Sequence, residues 1–185
     1  MNARDPRHDV VVAATRRWVE RAVIGLNLCP FARAVTVRGQ VRYAVSDARD
    51  AVALLGDLES ELRLLSLADA ERVDTTLLIL PLVLTDFLDY NDFLDKADAT
   101  VARMGLEGVI QVASFHPQYQ FAGTDPDDIT NYTNRSPYPI LHLLREASVS
   151  AAVTAFPEAE LIYQRNIDTM ERLGIDGWIA LGLDR

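Results

Sequence analysis

Apolar positions recur at helical spacing from Asp9 to about Leu26. Val11, Ala14, Trp18, Ala22 and Gly25 form one stripe, with Val12, Val19, Val23 and Leu26 alongside, while Arg16, Arg17, Glu20 and Arg21 fill the other side. An amphipathic helix buries such a stripe, and Gly25 with Asn27 offers its stop. Two β-rich runs follow, Val35-Thr36-Val37 and Val41–Val45, separated by Arg38-Gly39-Gln40. That spacing predicts a hairpin. Ser46 or Asp47 can cap the next helix, about Ala48 to Ser66, with Val52, Leu55, Leu58, Leu62 and Leu65 on its apolar face. Thr75–Leu80 is a nearly continuous apolar run ended by Pro81, the pattern of a central strand covered on both faces. Asp86–Met104 reads as a third helix, and Gly105 and Gly108 bracket its end before a strand over Val109–Ser114. After a polar loop, Ser136-Pro137 is a helix-start signal. It predicts a helix that contains His142 and continues to about Val153. Phe156-Pro157 breaks the chain, and a last helix from about Glu158 to Leu173 precedes a tail with Trp178.

Strands alternating with helices of this length indicate one layered α/β domain, a small, mainly parallel sheet packed by about five helices. Residues 1–8 are charged and expected to be flexible. In a parallel core, ligands bind beyond the carboxyl ends of the strands, where His116 falls. The 185 residues suffice for one full core. A net charge of −9 argues against nucleic acid or an anionic membrane as partner. No apolar run approaches a bilayer span, and the single cysteine, Cys29, excludes an internal disulfide. The expectation is a soluble, cytoplasmic protein; oligomeric state stays open.

Reactive side chains concentrate in Phe115–Asp125 and Thr133–Pro139. His116 fits a general base, a metal ligand or a ligand anchor, with Tyr119 as a supporting polar group; a turn histidine that satisfies backbone groups fits equally. Arg135, before the predicted helix start, joins Asn134, Ser136 and Tyr138 as an anion anchor, with His142 one turn along. Arg135 paired with Asp125, Asp127 or Asp128 would instead make the loop a structural clasp. The run Gly123–Asn131 has the side chains of a hard-cation loop without EF-hand spacing, and turn formation explains it better. Cys29 has two electrostatic readings: inert if it closes the first helix, activated if Pro30 opens a new one.

The segments Gly25-Leu26-Asn27-Leu28-Cys29-Pro30-Phe31-Ala32, Ser114–Phe121, Asn131–Pro139 and Leu141–Glu146, in this order, resemble the bacterial domain-of-unknown-function family fourteen-fifteen, over about Val10 to Ile179. The resemblance implies a compact single-domain bacterial protein and supplies no activity, cofactor or catalytic residue. The residues themselves favour a small-molecule enzyme that binds an anionic ligand, with His116 as acid or base, Arg135 as anchor, Tyr119 and His142 as supporting polar groups, and Cys29 as nucleophile or ligand. The alternative is a non-catalytic metal or haem protein that uses Cys29 with His116 or His142. A third reading makes the aromatic, arginine-bearing loop a docking surface for another protein.

Overall fold

A computed structural model describes residues 6–155 and 161–183. The expectations for residues 1–5 and for the break at Phe156-Pro157 lie outside the described residues. Helix α1 spans Pro6–Trp18 and runs into a π-helical turn over Val19–Ile24. The wider turn adds one residue per revolution, so Trp18, Val19 and Ala22 all reach the core. Asn27, at φ 55°, makes the left-handed exit, whereas Gly25 keeps right-handed helical angles.

The expected hairpin does not form. Ala32–Val37 is a short helix, α2, ended at Gly39 with φ 72°, and only Val41–Val45 is a strand, β1. A hairpin needs an antiparallel neighbour, and β1 has its partner on the other side: it pairs in parallel with β2, Thr75–Ile79. Helix α3, Ala51–Leu67, joins them. Its cap is Asp50, not Ser46 or Asp47: the Asp50 carboxylate accepts from the N–H groups of Val52 and Ala53 at 3.0 and 2.9 Å. Leu54, Leu58, Leu62 and Leu65 make the buried face, and Val52 points to solvent. Helix α4, Phe87–Arg103, lies where the sequence predicts a helix, is capped by Asp86 and leads to β3, Ile110–Phe115.

The largest departure follows the polar loop. Ile140–Arg145 is a strand, β4, and the chain becomes helical only at α5, Glu146–Ala155. An apolar run such as Ile-Leu-His-Leu-Leu fits a strand buried on both faces as well as a helix. The choice is made by the open slot between β2 and β3, which β4 fills antiparallel to both. The order is β1-β2-β4-β3, and the sheet is mixed rather than mainly parallel: one of its three pairings is parallel. Helix α6 runs Ile162–Ala180 with a kink at Gly174, φ 65°, so Trp178 lies on a helix rather than in a tail.

Strand alternation sorts the side chains into two cores. Ala44, Leu78, Leu80, Leu141 and Leu143 meet α3 and α4 on one face. On the other, Leu77, Ile79 and Ile140 meet Val11, Ala14, Trp18 and Ala22. Each fully buried leucine stabilises the fold by roughly 1.5–3 kcal/mol relative to exposure. Arg145 ties the layers together by donating to the carbonyls of Leu65 and Ala68, both at 2.6 Å, at the end of α3. No helix among the described residues is long and apolar enough to cross a membrane.

Candidate functional site

His116 has no exposed surface. Its Nδ1 accepts the Gln118 N–H at 3.0 Å, so the ring proton sits on Nε2, which lies 3.1 Å from the Leu84 carbonyl and donates to it. Leu84 itself is held at φ 55°. The rings of Phe87 and Tyr90 flank the imidazole at 5.4 and 5.1 Å. The Tyr90 hydroxyl donates to Ile140 and accepts from the Phe115 N–H, and burial pushes its pKa up. His116 thus fastens the turn after β3 to the loop before α4.

The rest of the loop is hydrogen-bonded to itself. Arg135 donates from Nε to the Tyr119 carbonyl at 3.2 Å and from Nη2 to the Pro126 carbonyl at 2.6 Å, and its guanidinium stacks 4.1 Å from the Tyr132 ring centroid. It reaches carbonyls, not Asp125, Asp127 or Asp128. Asn134 donates to the Ser114 carbonyl at 3.2 Å, and Ser136 to the Tyr138 carbonyl at 2.6 Å. Buried Asn131 accepts from the Phe121 N–H and donates to the Asp125 carbonyl. Asp128 accepts from Thr130 and caps a 3₁₀ turn, Ile129–Asn134; those hydrogen bonds lower its pKa. The segment after Ser136-Pro137 is β4, so the helix N-terminus expected to assist Arg135 is absent.

His142 is correspondingly on the middle of the sheet, opposite Leu77 and Ala113, rather than on a helix facing the loop. Thr75 Oγ1 donates to the Leu143 carbonyl at 2.8 Å, which leaves it to accept from His142 Nε2 at 2.7 Å. Burial lowers the His142 pKa to about 4. At Cys29 a new helix does follow Pro30, and what opposes its effect is burial, not the end of the first helix. The backbone N–H groups of Phe31 and Ala32 bond the sulfur and lower its pKa, but burial outweighs them and the net shift is upward. Among the described residues no group of three or more His, Cys, Asp or Glu could hold a metal ion, so Cys29, His116 and His142 are not assembled as a ligand set.

An open cleft of about 310 Å³ lies elsewhere, between the turn at Leu26, Asn27 and Pro30 and the N-terminal half of α6. From α6 come Ile162, Arg165, Asn166, Asp168, Thr169 and Arg172. Asn166 donates from Nδ2 to the Leu28 carbonyl at 3.0 Å and pins the turn to the helix, and Met170 is fully buried beneath. A second pocket, about 380 Å³, sits at the carboxyl ends of β1 and β2 and is lined by Ser46, Asp47, Asp57, Ser60 and Glu61. Ser46 donates to Asp57 at 2.5 Å there, and Arg42 pairs with Glu61 at 2.7 Å. Neither space is lined by Cys29, His116, Tyr119, Asn134, Arg135, Ser136, Tyr138 or His142.

The loop and the cleft nevertheless share α6. Trp178 meets Tyr132, the ring under Arg135, at 5.2 Å, edge to face. The α6 residues were not legible as a site because Arg165, Asp168, Thr169 and Arg172 sit at ordinary helical spacing, the signature of a solvated face. Their one distinguishing signal is spatial: they face the Leu26–Pro30 turn.

The chain matches the model of a family described as a protein of unknown function (DUF1415) over residues 10–180. Neither a curated protein nor a solved structure matches it.

Proposed function

The chain belongs to this DUF1415 family, whose description carries no activity, and from that premise we propose that the protein binds a small anionic ligand in the cleft between the Leu26–Pro30 turn and α6. The observation that carries the reading is that two arginines, Arg165 and Arg172, line one concave space in a chain of net charge −9. Asn27, Asn166 and Thr169 add neutral hydrogen-bonding groups to the same walls. Guanidinium groups recognise carboxylates and phosphates through paired N–H donors. The expected partner class, a small anion, is retained, while its place moves away from the His116 and Arg135 loop. No cysteine or histidine lines the cleft, so the reading is one of binding rather than of nucleophilic catalysis.

Titration of ¹⁵N-labelled protein with sodium glutarate, against sodium chloride at equal ionic strength, tests it. Shifts confined to Asn27, the Asn166 side-chain amide and residues 162–172, and lost in Arg172→Ala, are expected. Shifts that match those in chloride would refute the cleft as an anion site.

A further inference from the structure

Resting on that reading, we infer that the N-terminal half of α6 is a hinged wall of the cleft. It swings about Gly174, latched by the hydrogen bond from Asn166 to Leu28, and so admits and encloses the ligand. Every α6 residue that lines the cleft falls between Ile162 and Arg172, before the break in the helix. Gly174 has φ 65° and ψ 176°, angles open essentially to glycine alone. A Cβ placed there would meet nothing within 4 Å, so the position is glycine for its backbone angles and not for close packing. Hinges are a few loop or element-terminal residues of this kind, which absorb the change in φ and ψ.

The two halves are fastened to different parts of the molecule. Beyond the break, Trp178 packs edge to face on Tyr132 at 5.2 Å. Trp178, Leu181 and Leu183 pack against the core that α1 covers, and Arg21 Nη1 donates to the Leu181 carbonyl at 2.8 Å. Before the break, Asn166 donates to the Leu28 carbonyl at 3.0 Å and Met170 is fully buried. Methionine, unbranched and with three rotatable bonds, re-packs readily under a surface that shifts. Asn166 lies about 12 Å along the axis from the pivot. A turn of about 10° therefore moves it by about 2 Å, which takes it out of hydrogen-bond reach of Leu28. Arg172, next to the pivot, moves by only about 0.5 Å. The wall opens at its far end while Arg172 stays in place.

Hydrogen exchange of the full chain under native conditions, read amide by amide by NMR, tests the inference with two substitutions, Asn166→Ala and Arg21→Ala. Asn166→Ala is expected to speed exchange about fivefold at residues 166–173 and to leave 178–182 unchanged, because one hydrogen bond is lost from one half only. Arg21→Ala, which removes the donor to the Leu181 carbonyl, is expected to do the converse. Equal acceleration on both sides of Gly174 in either variant overturns the inference, because α6 then moves as one piece. No acceleration at 166–173 in Asn166→Ala overturns it as well, because the wall is then not latched there. Glutarate is expected to slow exchange at 166–173 alone, and binding that leaves those rates unchanged would overturn the enclosure. Failure of the anion reading is a different result, the absence of any chemical-shift change with glutarate, and the two substitutions then still decide the hinge.

Discussion

Replacing His116 with alanine separates a structural role from a catalytic one. The imidazole satisfies two backbone groups at once, the Gln118 N–H at 3.0 Å and the Leu84 carbonyl at 3.1 Å, with no exposed surface of its own. Alanine leaves both without a partner, and each buried, unsatisfied group costs about 1–3 kcal/mol. The vacated ring volume between Phe87 and Tyr90 adds a cavity cost. Together these predict a loss of about 4 kcal/mol, a large fraction of the 5–15 kcal/mol typical of a folded domain. Urea unfolding at 25 °C followed by far-ultraviolet circular dichroism measures it, with an unchanged m-value as the condition for comparison. Tyr119→Phe is the internal control, since the Tyr119 hydroxyl has only a long contact, 3.4 Å from Ser114; its loss should stay below about 1 kcal/mol. A His116→Ala loss below about 1 kcal/mol would refute the reasoning and return His116 to the catalytic candidates.

Three further outcomes follow from the same structure. His142 titrates at about 4 in the fold against 6.5 in the unfolded chain. Its contribution, about 3 kcal/mol at most, is therefore present above pH 6.5 and lost as pH falls toward 4. His142→Leu should flatten that part of the stability profile, and an unchanged slope would count against a buried neutral imidazole. Cys29, its pKa raised by burial, should react with iodoacetamide at pH 7 more slowly than free cysteine and accelerate only on unfolding; alkylation at the free-thiol rate would contradict the burial. At Gly25 an added Cβ would collide with the Arg21 carbonyl, so Gly25→Ala should destabilise by about 1–3 kcal/mol in the same urea assay, and a neutral result would mean that the π-helical turn can relax.

Legibility followed the range of the interactions involved. Helix α4 carries its cap, Asp86, and its apolar spacing within one segment, so its bounds were predicted to within a residue or two. Helix α3 was legible in place but not in detail, because Asp50 competes with Ser46 and Asp47 for the cap and only packing shows that Leu54 rather than Val52 is buried. The polar loop after β3 is a clasp, but not through the Arg135–aspartate pairing that its sequence suggests. Its partners are mostly backbone carbonyls and amides, which no sequence pattern displays.

By itself the sequence determined what local periodicity and composition control: an α/β domain, the apolar stripes of α1 and α3, the buried character of β2 and the acidic surface. Tertiary structure decided the identity of β4. Ile140–Arg145 has no local reason to be a strand; it is one because β2 and β3 leave a slot whose backbone groups need partners. That choice removed the helix expected beside Arg135 and carried His142 into the sheet. The cleft was decided in the same way, since Arg165 and Arg172 come to line one space with the Leu26–Pro30 turn only where Asn166 brings α6 against that turn, more than a hundred residues away along the chain.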